Sequence, residues 1–285
     1  MPEIRHVTVL GAGVLGTQIA YHTAYMGLAV TVYDISPKAL TASESRMHTL
    51  EEFYKADGVE GADRGLAEQA FTRLTFTTDL ASAAAEADLV IEAVPEDLDV
   101  KRQVFGELMR VAPEHTIFAT NSSTLLPSDI KDFTGRPDRF LAIHYANLIW
   151  KMNVAEIMGT PDTDPDVFAA AVAFATATGM VPIELHKEQA GYILNSLLVP
   201  LLFAAGRLWV NGVATPETID VAWRIASRGP FGPFQTLDVI GLTTAYHVAA
   251  GAPDPDVQAF AAALKEQYID KGKLGTTTGE GFYTY

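Results

Sequence analysis

The chain has 285 residues, of which 48% are apolar and 19% charged, with no cysteine and a formal net charge of −15. The length allows two domains and a large core, and the lack of cysteine excludes disulfides, thiolate metal sites and thiol nucleophiles. So acidic a chain lacks the basic footprint that nucleic acid or an anionic membrane needs, and no run of 18 or more apolar residues or signal-peptide pattern stands out. The expectation is a cytoplasmic protein with no nucleic-acid or membrane partner and no metal.

Residues 6–10 read as a short apolar strand, 14–26 as a helix stopped by Gly27, and 30–33 as a strand rich in β-branched residues. Ser36-Pro37 looks like an N-cap followed by proline in the first turn, opening a helix toward Ala56. Further strands are expected at 74–77, 89–92, 117–120, 140–144, 154–158 and 181–185, and helices at 99–111 and 164–178. Strands alternating with helices predict βαβ units, hence an α/β domain built on a Rossmann-type, doubly wound and mostly parallel sheet. The pattern changes near Lys187. Beyond it, 193–209, 216–227, 237–249 and 256–271 read as helices, with a break at 229–233. The expected organisation is a dinucleotide-binding domain over 1–186 and a smaller all-helical domain over 187–285.

Gly11-Ala12-Gly13-Val14-Leu15-Gly16 is a G-x-G-x-x-G run that follows a strand and opens a helix. The first glycine permits the tight turn, the second lets a pyrophosphate approach the backbone, and the third lets the helix pack closely on the strand. The helix N-terminus then offers N–H groups and a positive dipole end to phosphate. Asp34 ends the next strand, where a carboxylate can bond ribose hydroxyls and repel a 2′-phosphate, which favours NAD over NADP.

Ligands of such sheets bind beyond the carboxyl ends of the strands. Glu92 and Glu96, then Asn121-Ser122-Ser123-Thr124, then His144 fall there, and Glu156 follows 12 positions after His144, so that a chain reversal would bring the two together. Hydride chemistry on an alcohol needs a base near neutral pH, a carboxylate to fix its tautomer and a donor for the substrate oxygen. His144, Glu156, Ser123 and Asn195 supply those types. The same residues also admit plainer readings: an ordinary strand-end histidine, serine helix caps, and an asparagine satisfying backbone groups.

The order of motifs resembles the 3-hydroxyacyl-CoA dehydrogenase family over nearly the whole chain. The residues that carry it are Ile91-Glu92-Ala93-Val94-Pro95-Glu96 with Lys101, Asn121-Ser122-Ser123-Thr124-Leu125, His144 with Glu156, Gly191-Tyr192-Ile193-Leu194-Asn195, the turn from Gly229 to Phe234, and Gly279-Glu280-Gly281-Phe282-Tyr283. The resemblance implies a catalytic pair of His144 and Glu156, with Ser123 and Asn195 on the reacting oxygen. It implies NAD bound by Gly11, Gly13, Val14, Leu15, Gly16 and Asp34, with Glu96, Lys101 and Asn121 on the cofactor side. It also implies a homodimer built on the helical domain.

Two departures bear on the substrate. The residues after His144 are Tyr145-Ala146-Asn147-Leu148, with Trp150-Lys151 where the family has Pro-Val, and the helix after Asp34 carries Glu44, Glu51, Glu52 and Asp57 against Arg46 and Lys55 where the family is lysine-rich. In these places the chain is similar to diketoreductase-type members. Two substrate classes follow: a 3-hydroxyacyl-CoA such as 3-hydroxybutyryl-CoA, or a β-keto or β,δ-diketo compound without coenzyme A. A lysine-based 3-hydroxyisobutyrate-type enzyme would want a lysine four residues before Asn195, where Gly191 stands. A non-catalytic dinucleotide-binding protein would have lost residues that are present here.

Overall fold

The computed structural model describes residues 4–285. It begins with β1 (His6–Leu10), α1 (Val14–Tyr25), β2 (Ala29–Tyr33) and α2 (Pro37–Ala56), followed by α3 (Leu66–Phe71), β3 (Leu74–Thr77), α4 (Leu80–Ala84) and β4 (Leu89–Glu92). Then come α5 (Leu98–Val111), β5 (Ile117–Thr120), α6 (Pro127–Ile130), β6 (Phe140–Tyr145), β7 (Val154–Gly159), α7 (Pro165–Ala177) and β8 (Val181–Leu185). All eight strands form one sheet in the order β3-β2-β1-β4-β5-β6-β7-β8. Pairing is parallel from β3 to β6 and again between β7 and β8, and antiparallel only between β6 and β7.

Every residue of β4 (Leu-Val-Ile-Glu) and of β5 (Ile-Phe-Ala-Thr) is buried, as expected of central parallel strands covered on both faces. The alternation of side chains divides the core in two. Val7, Val9, Leu89 and Ile91 pack with Ile19, Tyr21, Met47, Tyr54 and Phe174 of α1, α2 and α7. Leu10, Val90, Phe118 and Phe140 face the other way, onto Ala84, Phe105, Leu108 and Ile130. Asp97 caps α5 by accepting from the N–H groups of Asp99 and Val100, which starts the helix directly beyond the end of β4.

The chain divides into two compact units, one ending at Ile193 and one running from Leu194 to Tyr285. The second unit holds α8 from Leu194 onward (the helix spans Tyr192–Val210), α9 (Pro216–Ser227), α10 (Pro233–Ile240), α11 (Leu242–Ala250) and α12 (Pro255–Gln267). The single helix expected over 237–249 is two helices, because Gly241 takes a φ of +94° that interrupts the helical path. Buried Asp220 accepts from the N–H groups of Phe234 and Gln235, and buried Asp238 from those of Phe282 and Tyr283. Tyr283 and Tyr285 donate their hydroxyls to Asp220 and Asp238 in turn. The glycine–proline turn and the C-terminal motif are therefore parts of one anchored unit.

The helix α8 also qualifies the expectation that no segment is apolar enough to span a membrane. By length and composition alone this 19-residue helix passes, with a mean hydropathy of 1.7. Asn195, Ser196, Pro200 and Arg207 interrupt the apolar run, which is why a count of consecutive apolar residues passes over it.

Candidate functional site

The glycine loop is shaped by what it cannot accommodate. At Gly11 φ is +102°, and a Cβ there would sit 2.5 Å from the carbonyl oxygen of Ala93. At Gly16 a Cβ would collide with the carbonyl of Gly11, so only glycine lets α1 begin this close to the end of β1. At Gly13, the N-cap of α1, nothing lies within 4 Å of the position a Cβ would take, and no side chain caps the helix. Open space thus faces N–H groups left without a side-chain cap at a helix N-terminus, which suits a diphosphate. Val14 in the first turn is 62% exposed, while Leu15 packs on the core.

Asp34 follows β2 and holds this loop from the side. Its Oδ2 accepts from the N–H of Ala12 at 2.9 Å and its Oδ1 from that of Ser36 at 2.9 Å. The Arg46 guanidinium donates to the carbonyl of Ala12. The residues present therefore fit a dinucleotide, with the carboxylate of Asp34 fixed at the edge of the phosphate cradle.

The second part of the site rests on the reversal between β6 and β7. Antiparallel pairing sets His144 directly opposite Glu156. His144 Nδ1 lies 2.9 Å from Glu156 Oε2, and Ser123 Oγ lies 3.2 Å from His144 Nε2. A carboxylate only accepts, so Nδ1 carries the proton it shares and Nε2 is left to face Ser123. Both His144 and Glu156 are buried. The other carboxylate oxygen of Glu156 accepts from the N–H of Ile193 at 2.9 Å. The ring of Tyr192, which the sequence reading assigned no role, stacks on the imidazole.

Glu96 organises the loop that carries Ser123. One of its oxygens accepts from Ser122 Oγ at 2.5 Å, Ser123 N at 3.0 Å, and Thr124 N and Oγ1 at 2.8 Å each. Burial works against its charge, but the hydrogen bonds from Ser122 and Thr124 and the nearby Lys101 ammonium outweigh burial and hold its carboxyl down to about 2. Lys101 is itself almost fully buried, its Nζ 2.7 and 2.9 Å from the two oxygens of Glu92 and 3.4 Å from Glu96. Asn121 Oδ1 accepts from the N–H of Tyr145 at 2.9 Å, joining this loop to the end of β6. Of the residues expected on the cofactor side, Glu96, Lys101 and Asn121 thus all bond to groups beside the Ser123 loop, and Lys101 is enclosed by protein carboxylates. Asn195 lies on α8 in the second unit and is half-buried.

The departures noted in sequence meet one another. Beyond His144, Leu148 takes a φ of +60° and its N–H donates to Gln18 Oε1 at 2.8 Å. Asp57, at the end of α2, accepts from Trp150 Nε1 at 2.8 Å and pairs with Lys151 Nζ at 2.7 Å. The indole of Trp150 packs on the rings of Phe53 and Tyr54.

Comparison with known proteins agrees with this layout. Residues 6–189 match the NAD-binding domain of 3-hydroxyacyl-CoA dehydrogenase, and residues 191–285 match the C-terminal domain of the same enzyme. The human mitochondrial hydroxyacyl-coenzyme A dehydrogenase is 35% identical over 99% of this chain and 91% of its own length. The 3-hydroxybutyryl-CoA dehydrogenase of Mycobacterium tuberculosis is 33% identical over 99% of each chain. Among solved structures, a diketoreductase described by its substrate-directed dual catalysis of dicarbonyl compounds is 57% identical with a TM-score of 0.95, covering 100% of both chains. The chain therefore belongs to the 3-hydroxyacyl-CoA dehydrogenase family, NAD-dependent oxidoreductases that act on a CH–OH group.

Proposed function

We propose that the protein interconverts a 3-keto and a 3-hydroxy compound, with His144 as the acid and base. The observation that carries this reading is the line Ser123 Oγ, His144 Nε2, His144 Nδ1, Glu156 Oε2, with contacts of 3.2 and 2.9 Å. When bound, NADH supplies the hydride. During reduction the imidazole gives its Nε2 proton to the substrate oxygen, and Glu156 fixes the ring through Nδ1–H. Ser123 donates a hydrogen bond to the same oxygen as charge develops there, and Asn195 is assigned a matching role. His144→Ala should lower kcat for NADH oxidation by about 10²- to 10⁴-fold while NADH still binds. Turnover within a few-fold of wild type would sink the assignment.

For the substrate we favour a β-keto or β,δ-diketo compound without coenzyme A. On α2, Lys55 is held by Glu51 at 2.7 Å and Glu68 at 2.8 Å, and Arg46 is turned onto the carbonyl of Ala12. Arg46 and Lys55 are thus committed within the protein, which leaves exposed Lys38 in the first turn as the remaining lysine or arginine of α2, so a coenzyme A phosphate gains little from the rest of this helix. The 57% identity to a diketoreductase supports the same reading. The second reading, a 3-hydroxyacyl-CoA such as 3-hydroxybutyryl-CoA, is supported by the relatives at 33–35% identity. Acetoacetyl-CoA and a β-keto ester compared at matched concentration separate the two. A preference for the thioester above about 100-fold in kcat/KM, roughly 2.7 kcal/mol, would mean that the coenzyme A portion is bound and that the charge argument fails.

We also infer a cytoplasmic homodimer joined through the helical domain. Leu197 on α8 is 70% exposed and Ile225 on α9 is 75% exposed in the single chain, and a second copy covering such faces would remove apolar surface from water.

A further inference from the structure

Tyr192 has three features that packing alone does not require together. Its φ is +52°, an uncommon conformation for a bulky side chain that the surroundings must hold in place. Its ring lies flat against the imidazole of His144, with centroids 4.4 Å apart and planes 11° from parallel. Its hydroxyl donates to the carbonyl of Ser122 at 2.8 Å, and the side chain is 1% exposed. The left-handed turn at Tyr192 also leads into the N–H of Ile193, which donates to Glu156 Oε1 at 2.9 Å.

One residue and its neighbour therefore touch each part of the acid–base unit. The ring covers one face of the imidazole, the following N–H fixes the carboxylate, and the hydroxyl fixes the segment that carries Ser123. Once Nε2 turns from Ser123 to a substrate oxygen, the bond at Nδ1 alone does not set the ring plane. A flat aromatic wall on one face does set it.

We propose that Tyr192 is a positioning residue for the reaction: it holds the His144 imidazole in the plane that aims Nε2 at Ser123, and through Ser122 it sets where Ser123 stands. It exchanges no proton itself. Burial pushes its phenol far above the usual range, so the hydroxyl keeps its proton and remains a donor.

The inference rests on His144 being the acid and base, so the test includes His144→Ala alongside Tyr192→Leu and Tyr192→Phe. Each variant is measured for kcat, KM, NADH affinity by fluorescence titration, and the pH profile of kcat/KM. Tyr192→Leu removes both the wall and the donor. It should lower kcat by about 30-fold or more, with KM and NADH affinity within about threefold. It should also move a limb of the pH profile of kcat/KM, because the ring face no longer meets an aromatic surface. Tyr192→Phe keeps the wall and loses only the hydroxyl, so kcat should fall about 3- to 10-fold, less than in Tyr192→Leu, with the limb in place.

Tyr192→Leu with kcat within twofold of wild type and an unmoved limb would overturn the proposal. So would a loss confined to NADH affinity, since that would place Tyr192 in cofactor binding and not at the imidazole. Should Tyr192→Leu fail to fold, Tyr192→Phe decides. A kcat lowered about 3- to 10-fold with an unmoved limb supports the role of the hydroxyl, and a kcat within twofold overturns the proposal. If His144→Ala itself turns over, the assignment of His144 has failed. If His144→Ala is inactive while Tyr192→Leu is like wild type, only the role of Tyr192 has failed.

Discussion

The dinucleotide loop follows β1, and the His144 cluster stands on β6 and β7 and at the end of β5, with β4 between the two regions in the one sheet, yet they are made in opposite ways. The loop is backbone shaped by omission: Gly11 and Gly16 leave out side chains that would strike the carbonyls of Ala93 and Gly11, and Gly13 leaves open space at the start of α1. The cluster is made of side chains gathered from Ser123, His144, Glu156 and Tyr192, with 69 positions between the first and the last. A site of the first kind is damaged by adding atoms. A site of the second kind is damaged by removing them or by changing their hydrogen bonds.

The largest effect that sharpens this contrast belongs to Glu156→Gln. The amide keeps the shape but offers Nδ1 of His144 no charge and a choice of donor or acceptor. We expect kcat to fall about 10- to 100-fold, the range seen when the partner orienting a functional histidine is altered, while NADH affinity is unchanged. Equal losses in NADH affinity would show that the two regions are not separable. The opposite variant is Gly13→Ala, which adds one methyl to open space. Thermal stability should change little because nothing lies within 4 Å, whereas NADH affinity should fall about tenfold, or about 1.4 kcal/mol. If affinity holds and stability falls, the space at Gly13 is not where the diphosphate lies.

The same contrast explains what could be read from the sequence. The loop is local, so six consecutive residues and Asp34 carry it. His144 and Glu156 were legible as a pair because both sit on short apolar strands whose spacing allows a reversal, and they fall opposite one another in the β6–β7 register. Tyr192 stands in a Gly-Tyr-Ile-Leu-Asn run, and nothing in that run states that the tyrosine takes a left-handed φ and turns back onto a strand 48 positions earlier. The burial of Lys101 was likewise hidden. On an amphipathic helix a lysine reads as solvent-facing, and its carboxylate partners, Glu92 across the end of β4 and Glu96 beyond it, make its burial tolerable. The helices α3, α4 and α6 escaped because none exceeds six residues, too few for a helical period to register.

The smallest expected effect concerns Glu96, which holds the loop that carries Ser123. It accepts four hydrogen bonds from Ser122, Ser123 and Thr124 and lies 3.4 Å from the Lys101 ammonium. Its carboxyl titrates at about 2 in the folded protein instead of the ordinary 4.5. A depressed carboxyl stabilises the fold above its unfolded value and loses that contribution as pH falls through its folded value. The stabilisation is thus fully present above about pH 4.5 and is withdrawn between there and about pH 2. Because the side chain is 36% exposed, solvent screens part of it. Glu96→Gln cannot titrate, so its urea midpoint should fall less than that of wild type between pH 6 and pH 3. At pH 7 the amide should lower kcat about threefold, since Oε1 still accepts but without the charge that shortens and orders the bonds from the Ser123 loop. Parallel acid profiles for the two proteins would mean that the Glu96 carboxyl titrates alike in the folded and unfolded chains, so that the bonds from the Ser123 loop do not favour its charge.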